Sequence, residues 1–260
     1  MKKNLFTYFF LGAIFCFSGK NMLHAQADFK CGTDEAHKKL YAEHPDLALA
    51  AYKQNAVLEA QMKDRKSSKG VDTGQIFIIP IVFHILHTNG SENISDAQII
   101  DEVSILNRDW RKNNADSSAI IPAFQGVAAD MRIEFRLAQL DPNGNCTNGI
   151  ERIYSHKTDN ANDNSKLNPW PRDKYLNVWV IRTMESVGTA GYAYYPGATD
   201  TYLQPYDGII IIHSYVGSIG TASVYTSRAL THEVGHWLNL PHTWGSTNNP
   251  EIACGDEGVN

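Results

Sequence analysis

The chain has 260 residues, 43% of them hydrophobic and 20% charged, with a formal net charge of −5 at pH 7. That length accommodates one ordinary core plus appendages, and the balance is that of a globular protein, which excludes a disordered or fibrous chain. No Lys/Arg cluster offers a footprint for nucleic acid or for a membrane surface, so neither is expected as a partner.

Met1-Lys2-Lys3-Asn4 is a short basic start, and Leu5 to Phe17 is a nearly unbroken apolar run, too short for a comfortable membrane span. Ala25-Gln26-Ala27 then supplies a small-x-small cleavage pattern. Residues 1–27 read as a cleaved secretory signal. This predicts a secreted product, extracellular or periplasmic, with no stable membrane anchor. An uncleaved anchor is the competing reading. A lipoprotein at Cys16 is disfavoured by the bulky Phe15 before it. Cleavage leaves Cys31, Cys146 and Cys254, so at least one thiol stays unpaired even where disulfides form.

Residues 28–69 differ in composition from the rest of the chain. Asp34 to Lys69 is rich in Ala, Lys, Glu, Asp and Gln, and Leu40, Leu47, Leu49, Tyr52, Val57 and Leu58 recur at roughly helical spacing. Lys63 to Gly70 is polar, basic and easily nicked by a trypsin-like protease. The pattern predicts a helical pro-segment over 28–69, joined by this linker to a main domain over 70–260.

That domain opens with Ile76 to His87, a β-branched, largely buried strand in which Pro80 suggests an edge position or a bulge. His84 and His87 read as packed strand histidines. Ser95 and Gln98 have capping-box spacing, and Ile99, Val103, Leu106 and Trp110 line one helix face. Met131 to Leu137 alternates as a strand, Asp141-Pro142-Asn143-Gly144 is a turn, and Tyr175–Ile181 and Gly208–Ile212 are further strands. Between those two, Gly188 to Pro196 alternates small residues with tyrosines and reads as an edge or loop with accessible backbone. Strands and helices in mixed order indicate an α/β or α+β domain.

The decisive stretch is Thr231 to His242, which contains His-Glu-x-x-His and a third histidine six residues after the second. His232 and His236 fall on one helix face, one turn apart, where both imidazoles reach a single Zn²⁺. Glu233 is rotated about 100° away and is free to take a proton from water as a general base. His242 becomes a third ligand only if the helix stops. Asn239 suits the left-handed conformation that ends helices, and Pro241 bars resumption. Three protein ligands leave a fourth position open, as catalytic zinc requires.

His-Glu-Val-Gly-His-Trp-Leu-Asn-Leu-Pro-His-Thr-Trp closely resembles the pappalysin family of metzincin metallopeptidases, with Asn239 where the metzincin signature has Gly. Ile79-Pro80-Ile81-Val82-Phe83-His84, Leu106-Asn107-Arg108-Asp109-Trp110, Tyr175-Leu176-Asn177-Val178-Trp179 and Gly191-Tyr192-Ala193 resemble that family's recurring blocks, over most of residues 76–260. The resemblance implies a catalytic domain with a twisted mixed sheet above a zinc helix, acting on protein or peptide substrates. It implies that Gly188, Thr189, Ala190, Gly191 and Tyr192 form an upper-rim strand pairing with extended substrate. Calcium near the cleft is also implied, with Asp256 as a candidate ligand and a plain surface acid as the alternative. The family's methionine turn is expected after His242, where this sequence has no Met, so a fragment of a longer reading frame with a truncated lower subdomain is expected.

Cys31, in Cys31-Gly32-Thr33, has the chemistry to occupy the zinc's open position and keep the chain latent, a switch that metzincin zymogens use. A disulfide of Cys31 with Cys146, or with a cysteine beyond residue 260, is the competing reading, and Cys254 is expected to pair outside the given sequence. The functional expectation is a secreted zinc endopeptidase made as a zymogen. The alternative is an inactive zinc-binding fragment or binding protein, which would have no need of Glu233.

Overall fold

The computed structural model describes residues 30–67, 74–200 and 202–243. The expected signal (1–27), Cys16, Cys254 and Asp256 lie outside the described residues.

A seven-stranded sheet organises the chain. Its strands are β1 (Lys30–Cys31), β2 (Phe77–His87), β3 (Ile133–Leu137), β4 (Ile150–Tyr154), β5 (Leu176–Ile181), β6 (Thr189–Ala193) and β7 (Ile209–Ile212). The order is β1-β6-β7-β5-β2-β3, with β4 continuing beside β2 beyond β3. Pairing is parallel throughout except between β6 and β7.

Among the described residues the helices are α1 (Thr33–Glu43), α2 (Pro45–Ser67), α3 (Asp96–Trp110), the short turns α4 (Pro122–Gln125) and α5 (Pro196–Thr199), and α6 (Ala229–Trp237), which carries two of the histidines.

Alternation along the strands divides the core between two faces. Phe83, Ile85, Val178, Val180, Ile209 and Ile211 meet Ile99, Leu106 and Trp110 of α3 and Leu230 and Val234 of α6. The opposite face presents Leu86, Trp179, Ile181, Ile210, Tyr192 and Tyr194 to Leu40 of α1 and Leu47 of α2. The N-terminal helices are therefore part of a core layer. Burying each of those leucines contributes roughly 1.5–3 kcal/mol to their docking. At Gly197, an added Cβ would stand 2.8 Å from Ala51 Cα, so glycine permits α2 to lie directly on α5.

Several expectations need correction. The strand bearing Pro80 is central, because both faces and both edges of β2 are covered over most of its length. Proline is tolerated because Ile81 and Phe83 turn their bonding groups towards the β3/β4 side, so Pro80 faces the other side, where pairing with β5 begins only at Ile81. The capping box is half formed: Ser95 Oγ accepts from Gln98 N at 3.2 Å, but the Gln98 side chain bonds His213 O, Val216 O and Thr221 instead. It thereby ties α3 to the loop that leads into α6. Helix α2 runs through Ser67, so the first part of the expected linker is helical. Of the N-terminal residues read at helical spacing, Leu40 and Leu47 are buried, while Leu49, Tyr52 and Val57 are exposed.

The segment read as an accessible edge is the largest correction. Thr189 to Ala193 is buried throughout, hydrogen-bonded to β7 on one side and covered by β1 on the other. Of the five expected rim residues, Gly188 alone, at φ 84°, lies exposed.

Candidate metal centre

Helix α6 is held by its neighbours at both ends. Leu230 and Val234 are fully buried in the core. Thr231 Oγ1 donates to Asp109 Oδ2 of α3 at 2.9 Å. Trp237 Nε1 donates to the buried Asp207 at 2.8 Å, and Arg172 pairs with the other Asp207 oxygen.

The helix ends as the sequence predicts. Asn239 stands at φ 68°, its N–H donates to His236 O at 2.8 Å, and Leu240 N–H donates to Gly235 O at 2.9 Å. That pair of bonds is a Schellman motif with asparagine at the left-handed position. The chain turns back and brings His242 to the helix.

The three Nε2 atoms converge: His232 to His236 is 3.0 Å, and each is 3.1 Å from His242. Cys31 Sγ lies 3.3 Å from His236 Nε2, and the four donor atoms lie within 4.8 Å of one another. The opposite ring nitrogens are committed elsewhere. His236 Nδ1 donates to Leu240 O at 2.8 Å, and His242 Nδ1 to Asp34 Oδ2 at 2.8 Å. Those bonds leave the Nε2 lone pairs of His236 and His242 aimed at a common point. Burial, with the neighbouring imidazoles, lowers the pKa of His232 to about 4, and burial likewise lowers that of His236. Three imidazole nitrogens and one sulfur converging on a single point fit a cation, and that donor set suits tetrahedral zinc.

Comparison with known proteins agrees. The peptidase family model described as Pregnancy-associated plasma protein-A matches residues 159–258. Tannerella forsythia mature mirolysin in complex with a cleaved peptide is 40% identical, with a TM-score of 0.58, over 66% of this chain and 66% of that one. Tannerella forsythia promirolysin carrying a glutamate-to-alanine substitution is 34% identical, with a TM-score of 0.64, over 84% of this chain and 71% of that one. The chain belongs to the pappalysin family. An extracellular metalloprotease of Verticillium alfalfae is 26% identical over 87% of this chain and 69% of its own length. The chain thus spans about two thirds of the length of these relatives. Its fold is the metzincin one, and its class is that of the zinc metalloendopeptidases.

In this pappalysin the N-terminal segment packs against β6 and the metal centre. β1 adds to β6 in parallel, Lys30 against Thr189 and Cys31 against Gly191, and Gly32 N–H donates to Gly191 O at 2.9 Å. A Cβ on Gly32 would stand 2.6 Å from Thr189 Cγ2, so the close approach calls for glycine. Thr33 comes next, fully buried, its Oγ1 donating to Glu233 Oε2 at 3.2 Å and accepting from Ala193 N at 3.2 Å. His37 Nδ1 donates to Thr33 O at 2.9 Å and its Nε2 accepts from Tyr195 N at 3.1 Å. Burial lowers its pKa to about 4.

Glu233 is fully buried beneath this segment, and burial raises its pKa to about 7. Its Oε1 has no hydrogen-bond partner among the described residues. Burial, together with the charge of Glu233, pushes the Cys31 thiol well up, so proton loss from sulfur calls for a cation beside it. Cys31 and Cys146 are both free thiols, which corrects the disulfide reading for that pair. Thr33, Asp34 and His37 carry no local signature of their roles; the only cue is that they lie just after Cys31 in the chain.

Proposed function

We propose that this chain is a secreted zinc endopeptidase in its latent form, with His232, His236 and His242 as zinc ligands, Cys31 as the fourth ligand of the latent state and Glu233 as general base. The observation that carries the reading is the convergence of three Nε2 atoms and Cys31 Sγ on one point beside a buried glutamate. The division is a signal over 1–27, a pro-segment over 28–69 and a catalytic domain from residue 70. Relatives named as extracellular metalloproteases support export, and relatives solved as promirolysin and as mature mirolysin support conversion from a latent form.

Zinc bound there supplies Lewis acidity, polarising a carbonyl and acidifying water. Glu233 accepts a proton from the water as its oxygen bonds to the peptide carbon. It then delivers that proton to the amine nitrogen as the C–N bond breaks. The β6 edge now covered by β1 supplies the backbone groups to which an extended peptide pairs once the pro-segment leaves. Thr33 caps Glu233 and Cys31 takes a metal position, so the pro-segment blocks base and metal together. The calcium ligand expected at Asp256 lies outside the described residues.

The test is hydrolysis of a protein substrate by the chain after limited trypsin treatment. Glu233→Ala should lower the rate by about 10²–10⁴ while one zinc per chain is retained. Undiminished hydrolysis in that variant would remove Glu233 from the mechanism. Absence of hydrolysis in the parent, with zinc bound, would favour an inactive zinc-binding protein.

A further inference from the structure

The two helical histidines and the third are held in different ways. His232 and His236 are fixed by α6, and His236 also by its bond to Leu240 O. His242 lies beyond the Schellman turn, after Pro241, and its Nδ1 meets Asp34 Oδ2 at 2.8 Å across 208 residues of sequence. Asp34 opens α1, directly after the residues that cover the cleft. Its carboxylate is largely sheltered, with 26% of the side chain exposed, while the His242 side chain is 5% exposed. A carboxylate on the far nitrogen of a metal-binding histidine fixes the tautomer, orients the ring and raises its basicity. Here that partner belongs to the segment that activation removes.

We infer that Asp34 is a positioning residue for His242, which makes the latent chain the form that captures zinc and holds it most tightly. This rests on the proposed zinc site. Excising the pro-segment takes away two supports at once, the Cys31 sulfur and the Asp34 carboxylate. The mature enzyme therefore binds its metal less tightly than its precursor. The pro-segment acts as an assembly aid for the metal site as well as a block.

The experiment is zinc competition against a chromophoric chelator, with cobalt absorption spectra, on the full latent chain. Asp34→Ala should weaken zinc binding by about 10–100-fold and shift the cobalt bands. Asp34→Glu should restore most of both. The same Asp34→Ala loss should recur in a Cys31→Ala background, which separates orientation of His242 from sulfur ligation. One tightly bound zinc in the parent, with unchanged affinity and cobalt spectrum in Asp34→Ala, would overturn the positioning role and leave the zinc reading standing. No zinc binding in the parent would overturn both.

Discussion

Two sets of buried histidines on this scaffold look alike by burial and differ in where their nitrogens point. His84, in the middle of β2, is fully buried, with Nδ1 on Glu151 at 2.7 Å, Nε2 on Asn177 at 2.9 Å and its ring stacked on Trp179. Its hydrogen-bonding capacity is matched by fixed neighbours. His236 is almost as buried, yet its Nε2 faces two other Nε2 atoms and a sulfur. Burial alone does not mark a ligand. Three ring nitrogens and a sulfur converging on one point do, because a shared metal cation satisfies all four donors at once.

Substitutions at the two places should separate cleanly. His236→Ala should lower zinc affinity by about three orders of magnitude or more, read as metal content after dialysis. His84→Ala should keep one zinc per chain and instead destabilise the fold by about 2–4 kcal/mol in chemical denaturation, because it removes the bonds to Glu151 and Asn177 and opens a cavity against Trp179. Zinc loss in the strand variant, or its retention in the helix variant, would erase the distinction.

His37 occupies an intermediate place, satisfied like His84 but on the N-terminal segment proposed to leave on activation. Tyr41, Tyr194 and Tyr195 surround its ring, with Asp34 favouring the charged form and His236 and Lys166 opposing it. Its pKa falls from the ordinary 6.5 to about 4 on docking, so the docked segment excludes the extra proton. Docking strength from this group is complete above pH 6.5 and is lost as pH falls towards 4, by up to about 3 kcal/mol. Thermal unfolding of the latent Glu233→Gln chain between those pH values should show that loss, and His37→Asn should flatten it. Parallel pH profiles for the two chains would remove His37 from the docking balance.

The smallest expected effect is at the helix stop. Asn239→Gly should hold or slightly raise the melting temperature, whereas Asn239→Ala should lower stability by about 1 kcal/mol, since alanine tolerates φ 68° poorly. Equal effects from both would mean that the left-handed residue is not what ends α6.

The parts legible in the sequence are those in which a local pattern fixes the geometry. His232, His236, Asn239 and Pro241 lie within one helix and its stop, so helical pitch and backbone preference locate the site. The alternating strand Ile133–Leu137 and the β-branched, apolar strand Leu176–Ile181 are legible for the same reason. What depends on distant partners is not. The two-residue strand at Lys30–Cys31 has no periodicity to read, and it is what turns the expected open rim into a buried strand. Thr33 reaches Glu233 across 200 residues, and Asp34 reaches His242 across 208. Gln98 has capping-box spacing, yet its side chain is drawn to the loop before α6, a tertiary demand that outweighs the local one.

The proposed function requires one zinc ion among His232, His236, His242 and Cys31 in the latent chain. X-ray absorption at the zinc edge of the purified full-length protein tests it most directly. The expected spectrum has three nitrogen scatterers at about 2.0–2.1 Å and one sulfur at about 2.3 Å, with the sulfur lost in Cys31→Ala. A zinc shell of nitrogen and oxygen alone in the parent protein would contradict it.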